Sequence, residues 1–390
     1  MFSRHMFEAF TPSVGPCSDE RRDALIGIAN VDVMLSFRGE VGYEENFSLS
    51  RVLQRCACFE STDPRDSVYA LLGLTRDNSR HVIIPDYSEQ NITHLTFTGT
   101  MRYLLSQRNQ PLDNLCGAGL GADRNIQELP SWVPDWSRTK KGQQETGGHY
   151  TAGTRYNSVI GYDPSNYFSL HLEGIHFDRV KRLSSKSGKN PDWTTLDFMF
   201  SCKKWFSETE AVARSHAKDP YFNGQSVDEA FIRTLIWDQS SYDSEQRRPS
   251  TEQCFSDYNA VKLFYAISEI LIPILQSQPP ESRIPESPLW DQYRDICSQA
   301  SRFLHFAGNS LGMRFCVTGK GRMAIVPPLS NEGDIICVIK GARMPFVLRE
   351  ISYRERSLYN LVGSCYVHGV MDGEIHDDSI DAHSLGLDIV

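Results

Sequence analysis

The spacing of apolar positions changes character twice along the chain. Up to about residue 138 it is mostly helical. Val68, Tyr69, Leu71 and Leu72 form an apolar stripe behind Asp63-Pro64-Arg65-Asp66. There Asp63 takes an N-cap position, Pro64 the first helical position where a missing N–H costs nothing, and Asp66 the third, where a carboxylate favours the helix dipole. Gly73 supplies a left-handed stop. Residues 81–85 read as extended, and Leu95, Met101, Leu104 and Leu105 recur at helical spacing within 92–105. In Leu129-Pro130-Ser131-Trp132-Val133-Pro134-Asp135-Trp136 the two prolines forbid regular helix, so both tryptophans ride on a rigid extended segment.

Residues 139–151, polar and glycine-rich, read as a loop. Alternation through Phe168, Leu170, Leu172, Ile175, Phe177 and Val180 predicts two or three strands. Helix returns at 196–217 and 227–237, followed by a stretch at 238–253 whose polar composition reads as a disordered insertion. Tyr258, Val261, Phe264, Tyr265 and Leu271 mark a helix that Pro273 kinks or ends, and Ser287-Pro288 opens another that turns Tyr293, Ala300 and Phe303 to one side. Beyond residue 312 the period falls to two. Short runs at 314–318, 323–326, 334–339, 345–348, 359–362 and 365–370 alternate with Gly319-Lys320-Gly321, Pro327-Pro328, Lys340-Gly341-Ala342-Arg343 and a charged loop at 354–356. These runs predict a small barrel or meander closing its own edges.

The fold class is therefore α+β: a mostly helical region at 1–138, a loop with short strands at 139–191, a helical region at 192–312 with its insertion near 238–256, a small β module at 313–375, and a loosely ordered acidic tail at 376–390.

Composition narrows the function. With 40% hydrophobic and 23% charged residues the chain is of globular type. A net charge of -9 opposes phosphate backbones, and basic pairs such as Lys140-Lys141 are scattered, so nucleic acid is not an expected partner. Residues 1–17 include Arg4, Glu8 and Pro12 and form no secretory signal, and the apolar stretch at 267–275 is broken by Glu269 and Pro273, so no membrane partner is expected either. Ten cysteines, mostly isolated among apolar neighbours, suit reduced thiols in the cytoplasm.

Candidate chemistry is sparse. Gly117-Ala118-Gly119-Leu120-Gly121 lacks phosphate-loop spacing and reads as a plain flexible loop. His368, Asp372, Glu374, His376, Asp377 and Asp378 crowd together without a metal-ligand spacing. No metal or other cofactor is expected, and no residue is assigned as catalytic. Trp132 and Trp136 could stack a ligand ring, but packing anchors explain them as well.

Three stretches, Thr62-Asp63-Pro64-Arg65-Asp66-Ser67-Val68-Tyr69, Pro85-Asp86-Tyr87-Ser88 and Leu129 through Trp136, together resemble the region following the HET domain in fungal heterokaryon-incompatibility proteins. The segments at 333–349 and 362–374, the latter with Tyr366, His368, Asp372 and Glu374, resemble that family's closing segment. In the family the HET domain precedes these motifs and is associated with cell death after fusion of unlike hyphae. Residues 1–59 show none of its motifs, so the chain is read as lacking that domain, and the death-inducing activity is not carried over. The resemblance implies a fungal, non-enzymatic recognition or regulatory role through contacts with other proteins, a HET-domain protein among them. Candidate residues are Asp63, Arg65, Asp66, Tyr69, Asp86, Tyr87, Trp132, Asp135, Trp136, Tyr366, His368, Asp372 and Glu374, with an exposed surface expected around Trp132, Asp135, Tyr366 and His368. The competing reading is a small-molecule or metal-dependent enzyme with its site between the helical part and the β module, marked by a polar pocket holding His368 with Asp372 or Glu374.

Overall fold

The computed structural model describes residues 47–107, 111–120, 124–138, 149–187, 196–241, 248–276, 288–353, 356–376 and 384–390, with a few positions between 31 and 37. Most of the loop expected at 139–151, residues 242–247 of the expected insertion, Gly121, Ser287, Arg354, Asp377 and Asp378 lie outside the described residues.

The chain runs through helices α1 (Leu49–Arg55), α2 (Asp66–Tyr69), α3 (Ser79–Val82) and α4 (Thr93–Leu105), then strands β1 (Ile160–Tyr162) and β2 (Leu170–Lys186). Helices α5 (Leu196–His216), α6 (Val227–Leu235), α7 (Thr251–Gln276) and α8 (Pro288–Ala307) follow. Strands β3 (Arg314–Thr318), β4 (Met323–Val326), β5 (Ile335–Ile339), β6 (Phe346–Tyr353), β7 (Arg356–Ser364), β8 (Tyr366–Val367) and β9 (Ser384–Ile389) complete it. Two compact units result, and β2 passes from the first to the second after Val180.

In the first unit the leading half of β2 pairs antiparallel with β9, Leu170 opposite Ile389, and with β5, Gly174 opposite Ile339. β5 pairs antiparallel with β6, β6 with β7, and β7 lies parallel to β9, Leu358 opposite Asp388. The ring β2-β5-β6-β7-β9 is thereby closed. Five strands cannot alternate in direction all the way round, so one parallel pair is the geometric condition for closure, and β7–β9 supplies it. Closure removes the unpaired edges that a sheet otherwise exposes. Leu172, Cys337, Leu348, Leu361 and Leu387 are buried in a cluster that continues into Leu49, Val68, Phe97, Met101 and Trp132 of the helical layer. The space is tight at Gly174, where a Cβ would come within 2.6 Å of Cys337 Sγ and 2.8 Å of Leu387 Cδ1.

In the second unit α5 to α8 pack through aromatic side chains. Phe206 meets Tyr265 and Phe303, while Phe231 meets Tyr258 and, on β3, Phe315. From the trailing half of β2 the strands follow in the order β2-β3-β4-β8. Gly321, at φ +87°, makes the β3–β4 turn as its sequence requires.

Several expectations are corrected. Residues 313–375 do not close their own edges: β2 and β9 complete the ring, because β5 to β7 alone leave two edges unpaired. The expected loose tail ends in β9. Helix α2 is only one turn, and Gly73 lies in a 3-10 turn without a positive φ, while the Thr75 hydroxyl donates to the Leu72 carbonyl at 2.8 Å. His81 and Val82 belong to α3 and are not extended, and of the two alternatives for Pro273 it does not end α7, which runs on to Gln276. At the start of the expected insertion Asp238 is buried and pairs with Arg233 at 2.6 Å. The glycine-rich loop is not slack either: a Cβ on Gly119 would lie 2.4 Å from the Val362 carbonyl oxygen, and Leu120 N–H donates to Leu361.

Candidate functional site

Six of the sequence-selected residues converge in the first unit. The Asp63 carboxylate accepts the backbone N–H of Arg65 at 2.9 Å and its guanidinium at 2.8 Å. Asp63 thus closes a turn ahead of α2 and is not the expected cap of that helix, which begins at Asp66 behind Arg65 and has no side-chain cap. Arg65 Nη1 then donates to the carbonyls of Ser88 at 3.2 Å and Asn91 at 2.9 Å, and its guanidinium stands 5.1 Å from the Tyr87 ring centroid. The Tyr87 hydroxyl donates to Asp66 at 2.5 Å, and the Tyr87 and Tyr69 rings meet edge-on at 5.3 Å. Asp86 accepts Ser88 N–H, while Asn91 Nδ2 donates to the Tyr69 hydroxyl and the Asp86 carbonyl, each at 2.9 Å.

The charges follow this geometry. Hydrogen bonds from Arg65 hold Asp63 below the usual carboxylate range, the Ser88 N–H does the same for Asp86, and the Asp66 carboxylate pushes the Tyr87 hydroxyl up to about 12. The cluster clasps 62–69 to 86–92 along an open depression of about 670 Å³, lined by Asp63, Arg65, Tyr87, Glu89, Asn91 and Ile92.

The second group is the tryptophan segment. Prolines deny it helical hydrogen bonds, so its backbone groups need other partners. Arg124 donates to the carbonyls of Leu129, Pro130 and Val133 at 2.7–2.8 Å. Asp135 accepts the N–H groups of Asn125 at 2.7 Å, Ile126 at 3.1 Å and Ser137 at 3.1 Å. The Ser131 hydroxyl donates to the Val390 carbonyl and accepts Leu361 N–H, tying the segment to the barrel. Trp132 Nε1 donates to the Phe168 carbonyl at 2.8 Å, and Trp136 meets Phe97 edge-on. The exposed surface expected here is corrected: Trp132 is 0% and Asp135 6% exposed, because one fills the core and the other satisfies backbone donors.

Tyr366 and His368 lie in the second unit and are also buried, at 1% and 5% exposure, which corrects the surface expected around them. His368 Nδ1 is 3.0 Å from the Tyr366 hydroxyl, Nε2 is 2.8 Å from Gln225 Oε1, and the ring stacks on Tyr221 at 5.6 Å. Burial, helped by the positive charge of Arg233, Arg248 and Arg322, lowers the imidazole from 6.5 to about 3. Both ring nitrogens are therefore engaged by side chains of the same unit. Asp372 and Glu374 belong to the first unit, where Asp372 N–H donates to the Glu374 carboxylate at 2.7 Å in a local turn.

Sequence reasoning passed over Asn91, Arg124, Ser131 and Gln225. Ser131 and Asn91 lie within or beside recognised motifs. Gln225 is 143 residues from its histidine, and nothing local announces the pairing. Burial raises the thiols of Cys202, Cys254 and Cys337 to about 12, which keeps them protonated and poorly nucleophilic. Among the described residues no three His, Cys, Asp or Glu side chains are grouped so as to hold a metal ion, and no helix is long and apolar enough to cross a membrane.

Comparison with known proteins adds the following. Residues 290–382 match the Het-6 beta-barrel domain. That segment contains β3 to β8, whereas β2 and β9, which close the ring, lie outside it. Over 344 residues the chain is 25% identical to heterokaryon incompatibility protein 6, OR allele, of Neurospora crassa, covering 81% of this chain and 49% of that protein. The chain thus spans about half the length of this curated relative. No solved structure matches.

Proposed function

We propose that the chain is a member of the fungal heterokaryon incompatibility protein family and serves within it as a non-enzymatic recognition or regulatory module of vegetative incompatibility, acting in the cytoplasm through contacts with other proteins. The observation that carries this reading is the similarity to the Neurospora protein along 81% of the chain. The disposition of the polar residues supports the contact-based form of it. Asp63, Arg65, Asp135 and His368 spend their hydrogen bonds on neighbouring backbone and side chains. Residues so engaged hold a surface in shape and are poorly placed to exchange protons with a substrate. In this proposal the cell-death response after fusion of unlike hyphae belongs to a HET-domain partner, and this chain recognises or regulates it.

The test is expression in a filamentous fungal host, alone and beside HET-domain incompatibility proteins, scored for growth arrest and for co-purification. Altered growth together with co-purification is expected in at least one pairing. Neither effect in any pairing would overturn the reading.

A further inference from the structure

We infer that the exposed face of residues 74–92 is a docking surface for a protein segment carrying lysine or arginine beside apolar residues. The inference rests on the contact-based reading above and adds to it the surface and the chemistry of the partner.

The first observation is apolar exposure where the backbone is well held. Leu74 is 47% exposed, Val82 60%, Ile84 66%, Tyr87 52% and Ile92 48%. Single exposed apolar side chains are ordinary, but a cluster of them in one short segment marks a contact surface. The segment is anchored. Asp77 accepts the N–H groups of Leu49 at 2.7 Å and Ser79 at 2.9 Å, Ser79 is buried, and Arg65 and Asn91 clasp its far end. Its backbone is fixed while its apolar side chains face water, so a partner would bury them at little cost in ordering.

Shape and charge identify the occupant. The depression beside Tyr87 and Ile92 is open, whereas small-molecule sites enclose most of their ligand. Its lining carries the carboxylates of Asp63 and Glu89 and one guanidinium, Arg65, whose donors are taken by Asp63, Ser88 and Asn91, while Asp66, bonded to the Tyr87 hydroxyl, and Asp86, bonded to Ser88, add two more carboxylates beside it. The surface therefore presents an excess of negative charge around apolar side chains. Further back along the segment Arg76 lies over the Phe47 ring and Arg80 contacts His81 on α3, with Asp77 between them in sequence, so carboxylates still outnumber guanidinium groups over the whole face. An acidic rim repels anionic lipid and disfavours a second copy of a chain whose net charge is -9, and it attracts a cationic segment.

The experiment uses the full chain and three fluorescein-labelled peptides of equal length, built from leucine with lysine, leucine with glutamate, and serine with lysine, read by fluorescence anisotropy. The leucine–lysine peptide is expected to bind at least about tenfold more tightly than either other peptide, and Ile84→Ser or Glu89→Lys to weaken it at least about tenfold. Leu263→Ser, an exposed leucine of the second unit, should leave binding unchanged. Absence of binding, equal binding of the leucine–glutamate peptide, or wild-type binding by Ile84→Ser and Glu89→Lys would each overturn the inference. So would self-association of the wild type that Ile84→Ser abolishes, since the occupant would then be a second copy. The fungal assay separates the two levels. If wild type acts there and the Ile84→Ser, Glu89→Lys double variant acts equally, this surface is wrong and the contact-based reading stands; if wild type does not act, that reading itself fails.

Discussion

His368 and Tyr366 share a 3.0 Å hydrogen bond inside the second unit, and it makes this buried imidazole one of that unit's acid-sensitive groups. With Nε2–H donated to Gln225 Oε1 at 2.8 Å, Nδ1 has only a lone pair to offer, which the Tyr366 hydroxyl fills. Protonation at Nδ1 would break this arrangement.

Stability should therefore fall with pH in a defined window. The unfolded imidazole takes up a proton below 6.5, the folded one not until about 3, so between these values the unfolded state binds more protons and stability declines as pH falls. Between about pH 7 and about pH 5 the loss from this one group is about 2 kcal/mol. Denaturant unfolding at both pH values should show His368→Gln losing less stability than wild type over that interval, since the other titrating groups are common to both. Equal losses would contradict the neutral, buried histidine.

Trp132 tests the extended segment. Trp132→Phe keeps an aromatic ring, removes the donor to Phe168 and leaves a small void, and is expected to cost about 1–3 kcal/mol in denaturant unfolding. Trp132→Ala should cost about 3–5 kcal/mol through the cavity it opens.

Deleting residues 384–390 tests the closed ring. Without β9, β7 and β2 lose their shared neighbour and Ser131 loses the Val390 carbonyl. The deletion chain is expected to expose Leu172 and Leu361, bind a hydrophobic dye such as ANS, and lose its sharp melting transition. Wild-type melting would show that the ring does not depend on this strand.

Arg65 is the clasp between two stretches of chain. In Arg65→Lys the ammonium cannot span Asp63, Ser88 and Asn91 together, so amide hydrogen exchange at 84–92 should accelerate several-fold while the melting temperature changes little. Unchanged exchange there would show that the clasp carries no strain.

The local signals in the sequence were well matched by the structure. Turn residues and period-two runs locate β3, β4 and β5, and apolar spacing locates α4 and α5 within a residue or two. Pro288 begins α8, as its missing N–H requires. Relationships between distant segments were not legible. Leu385, Leu387 and Ile389 alternate as a strand should, but the run is short and follows acidic residues, and its pairing with β2, more than two hundred residues earlier, depends on tertiary burial that no local pattern encodes. The same holds for the candidate site. The Tyr69 stripe could be read from spacing, the Asp63 carboxylate proved to serve the turn before α2 and not the helix itself, and the convergence of Arg65, Asp86 and Tyr87 was foreshadowed only by motif resemblance. The burial of Asp135 and His368 escaped notice because their partners, Asn125, Ile126 and Gln225, carry no distinguishing pattern.

Whether the recurring polar residues are scaffold and the work is done at the surface is tested most directly by one paired measurement. His368→Gln, Asp135→Asn and Ile84→Ser are each scored for melting temperature and for effect in the fungal co-expression assay. The first two are expected to lose effect only in proportion to lost folding, while Ile84→Ser melts like wild type and loses its effect. A His368→Gln or Asp135→Asn chain that melts like wild type yet has no effect on growth would contradict this, and would place those side chains in the chemistry of the response.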